Sequence, residues 1–178
     1  MSNKKSFSSL LLELELDDYV VIDLETTGLN PKMDCITEIS AYRFVNGKPK
    51  DDFSTLINPG IPIPTFITDI TGISDFMVQD APVIEDVLQD LIDFIEGSSI
   101  VGQNIDFDYA FIKEVCTQHK ISFDNVILYD TLPLARMFIY FHNSFNLSSL
   151  CEYYDILIEN AHRAKSDALA TGLLFIFL

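Results

Sequence analysis

The stretch Asp23-Leu24-Glu25-Thr26-Thr27-Gly28 follows the apolar run Val20-Val21-Ile22 and constrains the fold more than any other part of the chain. The apolar run predicts a buried strand, and the small residues after it predict where the strand ends. Side chains alternate along a strand, so Asp23 and Glu25 point to the same face. Two buried carboxylates this close need a cation or several donors, and hard carboxylates suit Mg²⁺ or Mn²⁺. The pattern therefore predicts a metal site, with an exposed acidic strand end as the alternative.

The composition is that of one folded domain. A chain of 178 residues can bury roughly two-thirds of the surface of its unfolded form. The hydrophobic fraction of 48% and the 14 Phe residues exclude disorder, despite a formal net charge of −16. We therefore expect a single domain over residues 1–178. The chain ends in the apolar run Leu173 to Leu178, which is typical of one domain of a longer protein, such as its N-terminal domain, or of a last turn buried against a partner.

Cysteine usage and the N-terminal region indicate a cytoplasmic protein. The three cysteines lack any C-x-x-C spacing, so neither a disulfide framework nor a zinc site is expected. Glu13 and Glu15 interrupt the apolar run Leu10-Leu11-Leu12, which excludes a signal peptide. No stretch approaches the roughly 20 apolar residues that span a bilayer, so no membrane partner is expected.

The acidity argues against tight binding of nucleic-acid duplexes. Only 11 Lys and Arg residues oppose 27 Asp and Glu residues, whereas phosphate-binding surfaces are usually basic. A nuclease that holds a few nucleotides through metal ions and local donors needs no basic face. The local positive charges nearest to the candidate motifs in sequence are Lys32, Lys113, Arg163 and Lys165.

The remaining pattern predicts an α/β domain with a mixed central β-sheet flanked by helices. Asn46-Gly47 is a strong signal for a two-residue turn between the strands Ile36 to Val45 and Asp51 to Ile57. The segment 59–78 is predicted to be a long irregular connection. Further strands are predicted at 100–102 and 126–129, and helices at 82–97, from 107 onward, and at 130–138, 147–154 and 164–177.

Two further acidic residues lie at predicted helix starts. Asn104 or Asp106 could cap the helix that contains Asp108, which leaves Asp108 in the first turn. The helix dipole alone would explain an acid there, so a structural role is the alternative. Asp167 follows His162 by five residues. On one continuous helix these two would face about 140° apart, so they share a site only if His162 precedes the helix.

The order of these motifs resembles that of the DEDDh group of 3′-to-5′ exonucleases, the DnaQ-like family. The order is Asp23 with Glu25, then Asp108, then His162 with Asp167. The resemblance covers almost the whole chain. It implies a ribonuclease-H-like fold and an exonuclease domain similar to the proofreading epsilon-type domain.

The resemblance also implies roles for individual residues. Four carboxylates would bind two divalent ions, Mg²⁺ or Mn²⁺, and His162 would be the general base. Leu29 matches the family's wedge against the terminal base, and Thr26 and Asn104 are expected to contact the substrate beside it. The four implied metal ligands are Asp23, Glu25, Asp108 and Asp167.

One position departs from the family pattern. The family's middle motif often has His-Asn before the catalytic Asp, whereas this chain has Gln103-Asn104. Gln still donates and accepts hydrogen bonds, so the difference bears on a detail of substrate contact more than on activity. Asp106 is expected to cap a helix, and Asp130 is expected to be structural.

The chemistry expected from these residues is hydrolysis of a phosphodiester. Two cations about 4 Å apart can bridge a phosphate, activate a water and stabilise the leaving 3′ oxygen. A histidine that changes charge near neutral pH suits the removal of the water proton. The expected activity releases nucleoside 5′-monophosphates from the 3′ end of single-stranded DNA or RNA.

Two other functions stay open on the sequence alone. The chain could be a non-catalytic module that grips nucleic-acid ends or docks on a DNA polymerase or helicase, as a separate partner or a fused domain. It could also be a carboxylate-based phosphatase that acts on small phosphoesters. Within the exonuclease hypothesis, the residues do not distinguish DNA from RNA, or proofreading from repair or RNA trimming.

Overall fold

The computed structural model describes residues 18–140, 142–158 and 161–178. A mixed five-stranded sheet with the order β3-β2-β1-β4-β5 forms its centre. β1 pairs with β2 and β2 with β3 in antiparallel fashion, whereas β1 pairs with β4 and β4 with β5 in parallel. The strands are β1 (Asp18–Thr26), β2 (Ile36–Val45), β3 (Lys48–Leu56), β4 (Ser99–Gly102) and β5 (Leu128–Asp130).

Helices cover both faces of this sheet, which confirms the predicted α/β class. α3 and α4 pack on one face, against β1 residues such as Ile22 and Leu24, and α7 packs on the other face, against Val21 and Phe44. The described helices are α1 (Thr65–Thr71), α2 (Asp75–Val78), α3 (Ile84–Ile95), α4 (Asp106–His119), α5 (Thr131–Phe138), α6 (Leu147–Tyr153) and α7 (Ala164–Phe177).

The hairpin between β2 and β3 follows the predicted turn chemistry. Asn46 and Gly47 both have positive φ, 52° and 72°, as a two-residue turn that matches the strand twist requires. Val45 consequently pairs with Lys48, so β3 begins three residues earlier than predicted. Charged residues at 48–52 are compatible with a strand there because β3 is the exposed edge of the sheet.

The prediction of an irregular connection over 59–78 is wrong, because α1 and α2 lie within it. Its prolines all precede α1, and Pro64 is the residue at the N-cap, where a missing N–H costs nothing. Gly72 ends α1 in the left-handed conformation with φ 73°. The predicted start of α3 at Pro82 is also wrong by two residues, since Val83 is extended and the helix begins at Ile84.

None of the helices in the described ranges combines the length and the apolar character needed to cross a bilayer.

α7 lies close to the sheet because a glycine faces an aromatic ring. Gly172 packs directly on Phe44, which stacks on Tyr19 with ring centroids 5.3 Å apart. The Tyr19 hydroxyl donates to the Gly172 carbonyl over 3.4 Å. This contact fixes the height of α7 above β1 and β2, and therefore the position of every residue that the helix carries.

Gly172→Ala should destabilise the protein, although Ala is the better helix former. The added Cβ would overlap the Phe44 ring, so we expect the free energy of unfolding in urea to fall by about 1–3 kcal/mol. The matched comparison makes the same change in a Phe44→Leu background, where the smaller side chain leaves room and the cost should shrink. An unchanged or increased stability of the single variant would contradict this packing.

Candidate active site

β1 delivers two carboxylates to the face of the sheet that α7 covers. Asp23 and Glu25 point to this face near the carboxyl end of β1, as the strand alternation predicted. In the antiparallel ladder between β1 and β2, Asp23 pairs with Ser40 and Glu25 pairs with Glu38. β4 and β5 run parallel to β1, so their carboxyl ends meet at the same edge of the sheet. Ligand sites of α/β sheets form at such edges.

α7 brings a third carboxylate to this pair. Asp23, Glu25 and Asp167 each offer an oxygen, and these three atoms all lie within 4.8 Å of one another. One Asp167 oxygen accepts from the His162 backbone N–H over 3.1 Å, while the buried Oδ1 has no hydrogen-bond partner among the described residues. An unpartnered buried carboxylate oxygen fits a cation, and a set of carboxylate oxygens fits Mg²⁺ or Mn²⁺.

Asp108 approaches the same place from the opposite side of β1. It lies in the first turn of α4, as predicted, and is buried. Its Oδ1 accepts a hydrogen bond of 2.9 Å from the backbone N–H of Leu24, the residue between Asp23 and Glu25. The structure therefore brings all four predicted metal ligands to one end of β1, three of them in a single close group.

Burial raises the pKa values of all four carboxyl groups, and the charges of neighbouring acids raise them further. Burial is the largest cause for Asp23, and the charges of Asp108, Asp167 and Glu25 add to it. Burial, then Asp167, raises the pKa of Glu25 to about 8. Burial also raises the pKa of Asp108 to about 8, although the Leu24 N–H opposes it. For Asp167, burial raises the pKa and the His162 N–H lowers it. Clustered carboxyl groups with raised pKa values are typical of functional sites.

His162 lies on the turn before α7, which is the placement that a shared site with Asp167 requires. Its φ is 64°, and the helix begins at Ala164 after Arg163 at the N-cap. Its side chain is exposed, so the ring is accessible to water. Its role as general base stays a prediction.

The three predicted substrate contacts differ in their surroundings. Leu29 is 82% exposed on the loop after β1, and Asn104 is exposed on the turn before α4. Thr26 is buried, and its hydroxyl donates to the Gly28 carbonyl over 2.6 Å. The Thr26 side chain therefore holds the turn that presents Leu29.

The predicted capping of α4 by Asn104 or Asp106 is wrong. Ile105 is the residue at the N-cap, and no side chain caps this helix. Asn104 has φ 61°, which turns its carbonyl, rather than its side chain, toward the Phe107 N–H at 3.1 Å. Asp106 is exposed in the first turn.

Asp130 has the structural role that was predicted for it. Its Oδ1 accepts from the Leu132 N–H at the start of α5 over 2.8 Å and from the Asn104 N–H over 2.9 Å. Gln103 lies beside this contact: its amide donates to the Phe145 carbonyl over 2.9 Å, and its oxygen accepts from Thr131. The residue that departs from the family pattern therefore ties the end of β4 to the elements around it.

Sequence reasoning missed Glu38. This buried residue in β2 accepts from Arg163 Nε at 3.0 Å, from Arg163 Nη2 at 2.6 Å and from the Ala164 N–H at 3.0 Å. The available signal was a single acid within the predicted strand Ile36 to Val45. Arg163, noted only for its nearness in sequence, is thereby placed where its charge lowers the pKa of Glu25.

Comparison with known proteins identifies the family. The model of the RNase_T family, described as exonuclease, matches residues 20–175. The chain belongs to this exonuclease family. The match confirms the DnaQ-like resemblance and the prediction that the domain is a nuclease of the exonuclease class.

Two relatives contain a similar segment within longer chains. The PolC-type DNA polymerase III of Caldanaerobacter subterraneus subsp. tengcongensis is 42% identical over 159 residues, which are 89% of this chain and 11% of the polymerase. The 3′–5′ exonuclease DinG of Bacillus subtilis is 36% identical over 159 residues, 89% of this chain and 17% of DinG. The chain thus spans less than a fifth of the length of either relative.

Two solved structures share the fold. Exonuclease X in complex with 5′ overhanging duplex DNA superposes with a TM-score of 0.71 at 27% identity, over 89% of each chain. Escherichia coli exonuclease I in complex with a dT13 oligonucleotide has a TM-score of 0.80 at 18% identity, over 90% of this chain and 40% of that one. These likenesses confirm the predicted ribonuclease-H-like fold.

The metal-free protein should lose stability as pH rises from about 5 to 8. The raised pKa values of Asp23, Glu25 and Asp108 mean that the folded state holds protons that the unfolded chain has released. The contribution of these groups to the free energy of unfolding is therefore fully present below the ordinary pKa of a carboxyl group. It is lost as pH rises through the pKa values of the folded state. Urea unfolding in chelator measures this fall, and added Mn²⁺ should reverse it at pH 8.

Glu25→Gln should flatten this dependence, whereas Asp90→Asn, on the exposed face of α3, should leave it unchanged. Equal slopes in the wild type and in Glu25→Gln would show that the buried carboxyl groups do not titrate in this range.

Proposed function

We propose that this domain removes nucleotides from the 3′ end of single-stranded DNA by metal-dependent hydrolysis and releases nucleoside 5′-monophosphates. The observation that carries the proposal is the convergence of Asp23, Glu25 and Asp167 within 4.8 Å, in a chain of the exonuclease family. DNA is chosen over RNA because the named relatives include DNA polymerases and the structural neighbours include DNA complexes.

Asp23, Glu25, Asp108 and Asp167 are the proposed ligands of two divalent cations, Mg²⁺ or Mn²⁺. When bound, two such ions supply positive charge to the scissile phosphate and to the attacking water. Without bound cations, the four carboxylates would repel the phosphate of the substrate. The carboxyl groups must therefore be ionised, and must hold the cations, before the substrate can bind. The unpartnered Asp167 Oδ1 supports this assignment.

His162 is the proposed general base. The attacking water gives a proton to the imidazole and its oxygen forms a bond to phosphorus. The bond from phosphorus to the 3′ oxygen breaks, and this oxygen takes up a proton from solvent. The hydrogen bond from the His162 backbone N–H to Asp167 holds the left-handed turn next to this carboxylate, and the exposed side chain extends from that turn. The shortened strand keeps a 3′ hydroxyl and can enter the next cycle.

Leu29 and Asn104 are the proposed side-chain contacts with the substrate, and Thr26 is proposed to hold Leu29 in place for that contact. Leu29 projects from a loop whose backbone is held by the Thr26 hydroxyl and by the hydrogen bond from the Thr27 N–H to the Cys35 carbonyl, 2.8 Å long. An exposed apolar side chain on a well-held loop suits a wedge against the terminal base. Asn104, exposed before α4, can contact the backbone of the same nucleotide.

The proposed setting is a larger DNA-handling protein or assembly. The relatives carry the matching segment as 11% to 17% of their length, and the PolC-type relatives are DNA polymerases. Proofreading of a polymerase product is therefore the role that we propose first.

Asp108→Asn should abolish digestion, whereas Asp106→Asn should leave it intact. The two residues lie two positions apart in the same helical turn, but only Asp108 is buried against β1. We expect at least about a 100-fold loss of rate for Asp108→Asn. The assay follows 5′-labelled single-stranded DNA and RNA oligomers with Mn²⁺, where the wild type should give a ladder of shortened products that chelator suppresses.

Binding of oligomers without cleavage by the wild type would instead support a non-catalytic end-binding module. Release of inorganic phosphate from small phosphoesters, without a ladder, would support a phosphatase.

His162→Ala should lower kcat by a factor of about 10² to 10⁴, because the water keeps its proton. Affinity for Mn²⁺ should persist, since Asp167 is held by the His162 backbone N–H, which alanine retains. His119→Ala is the matched control, because His119 lies at the end of α4 near Glu85. Undiminished activity of His162→Ala would refute the assigned base.

A further inference from the structure

The contact between Glu38 and Arg163 joins β2 to the first residues of α7. We call these two residues the anchor pair. Glu38 receives two hydrogen bonds from the guanidinium and a third from the Ala164 N–H, all within 3.0 Å. The Glu38 side chain is 5% exposed, whereas that of Arg163 is 35% exposed. The carboxylate is therefore fixed by the sheet, and it holds the arginine and the helix start.

The anchor pair is directly connected to the residues proposed for the chemistry. The Arg163 carbonyl accepts from the Ser166 N–H at 2.9 Å and from the Asp167 N–H at 3.0 Å. Arg163 also follows His162 in the chain, and the His162 N–H donates to Asp167. A displacement of Arg163 would therefore move both the base and one carboxylate of the close group.

The anchor pair also sets the charge next to the site. Glu38 lies opposite Glu25 in the ladder between β1 and β2, and like charges at opposed positions destabilise a sheet. The guanidinium compensates this additional negative charge at a point where Asp23, Glu25 and Asp167 already repel one another. Stability alone does not account for the pair, because a buried ion pair is often no more stable than apolar residues of similar size.

We propose that Glu38 and Arg163 are positioning residues that place His162 and Asp167 for metal binding and hydrolysis. This inference rests on the proposed function. Neither residue is assigned to contact the substrate or the reacting atoms. They act through the first turn of α7, which they hold at a fixed distance from the carboxyl end of β1.

The test measures Mn²⁺ affinity and kinetics in parallel. Free Mn²⁺ is titrated by electron paramagnetic resonance, without substrate, and kcat and KM are measured on a 5′-labelled DNA oligomer. For Arg163→Gln we expect the Mn²⁺ dissociation constant to rise and kcat to fall, each by about 10 to 100-fold. At saturating Mn²⁺, KM should change little, because neither residue is assigned to contact the substrate.

Three further variants distinguish a positioning role from simple unfolding. Arg163→Lys keeps the charge on a half-exposed residue but loses the two-pronged geometry, so it should restore part of the Mn²⁺ affinity and of kcat. Glu38→Gln keeps the shape of the acceptor and should behave like Arg163→Gln. The double variant Glu38→Gln with Arg163→Gln should be no worse than the poorer single variant, because both lose the same contact.

The matched control is the neighbouring ion pair between Lys165 and Asp52, which also joins α7 to the sheet over 2.8 Å. It is exposed and contacts neither His162 nor Asp167, so Lys165→Met should keep the wild-type Mn²⁺ affinity and kcat. Equal losses of Mn²⁺ affinity and kcat in Lys165→Met and Arg163→Gln would overturn the inference. They would show that any contact between α7 and the sheet has the same effect.

The outcomes separate this inference from the proposed function. A wild type that gives a metal-dependent ladder, with Arg163→Gln unchanged in Mn²⁺ affinity and kcat, overturns the anchor pair alone. A lower stability of Arg163→Gln in urea with unchanged Mn²⁺ affinity does the same. A wild type that neither binds Mn²⁺ nor cuts DNA overturns the proposed function, and the inference with it.

Discussion

Repulsion between carboxylates at the end of β1 is the constraint on which the rest of the structure depends. Four acids from three elements, and Glu38 beside them, meet where burial already disfavours their charged forms. Packing elsewhere must hold them there, because nothing in their mutual interaction does. The stacked Tyr19 and Phe44 rings under Gly172, and the N–H of Leu24 on Asp108, supply this restraint. The fold thus holds a site that favours binding of cations.

The restraints divide the site into a fixed part and an attached part. Asp23 and Glu25 belong to the part of β1 that pairs with β2, so their positions are set by the sheet. His162 and Asp167 belong to the start of α7, whose position depends on the helix packing and on the contact with Glu38. A change in the attached part therefore alters the spacing of ligands without unfolding the sheet.

Much of this arrangement followed from local sequence rules. The alternation at Asp23 and Glu25, the Asn46-Gly47 turn and the first-turn placement of Asp108 each depend on a few neighbouring residues. Sequence reasoning failed where the partner lay far along the chain. Glu38 and Arg163 are 125 residues apart, and neither position alone reveals their contact. The expected cap of α4 by Asn104 was wrong for a similar reason. The Asn104 backbone N–H donates to Asp130, which is 26 residues away in the chain.

The distribution of charge explains how so acidic a domain can act on a polyanion. The formal net charge is −16, and the two cationic side chains at the start of α7 are engaged by acids, Arg163 by Glu38 and Lys165 by Asp52. Few free cations therefore remain there to hold a phosphate backbone, which is the usual source of affinity for nucleic acid. Recognition in the proposed function must then come from bound divalent ions and from apolar packing of the terminal base against Leu29, contacts that engage only the last nucleotides. In the proposed setting, a larger DNA-handling protein, another domain or partner would deliver the 3′ end.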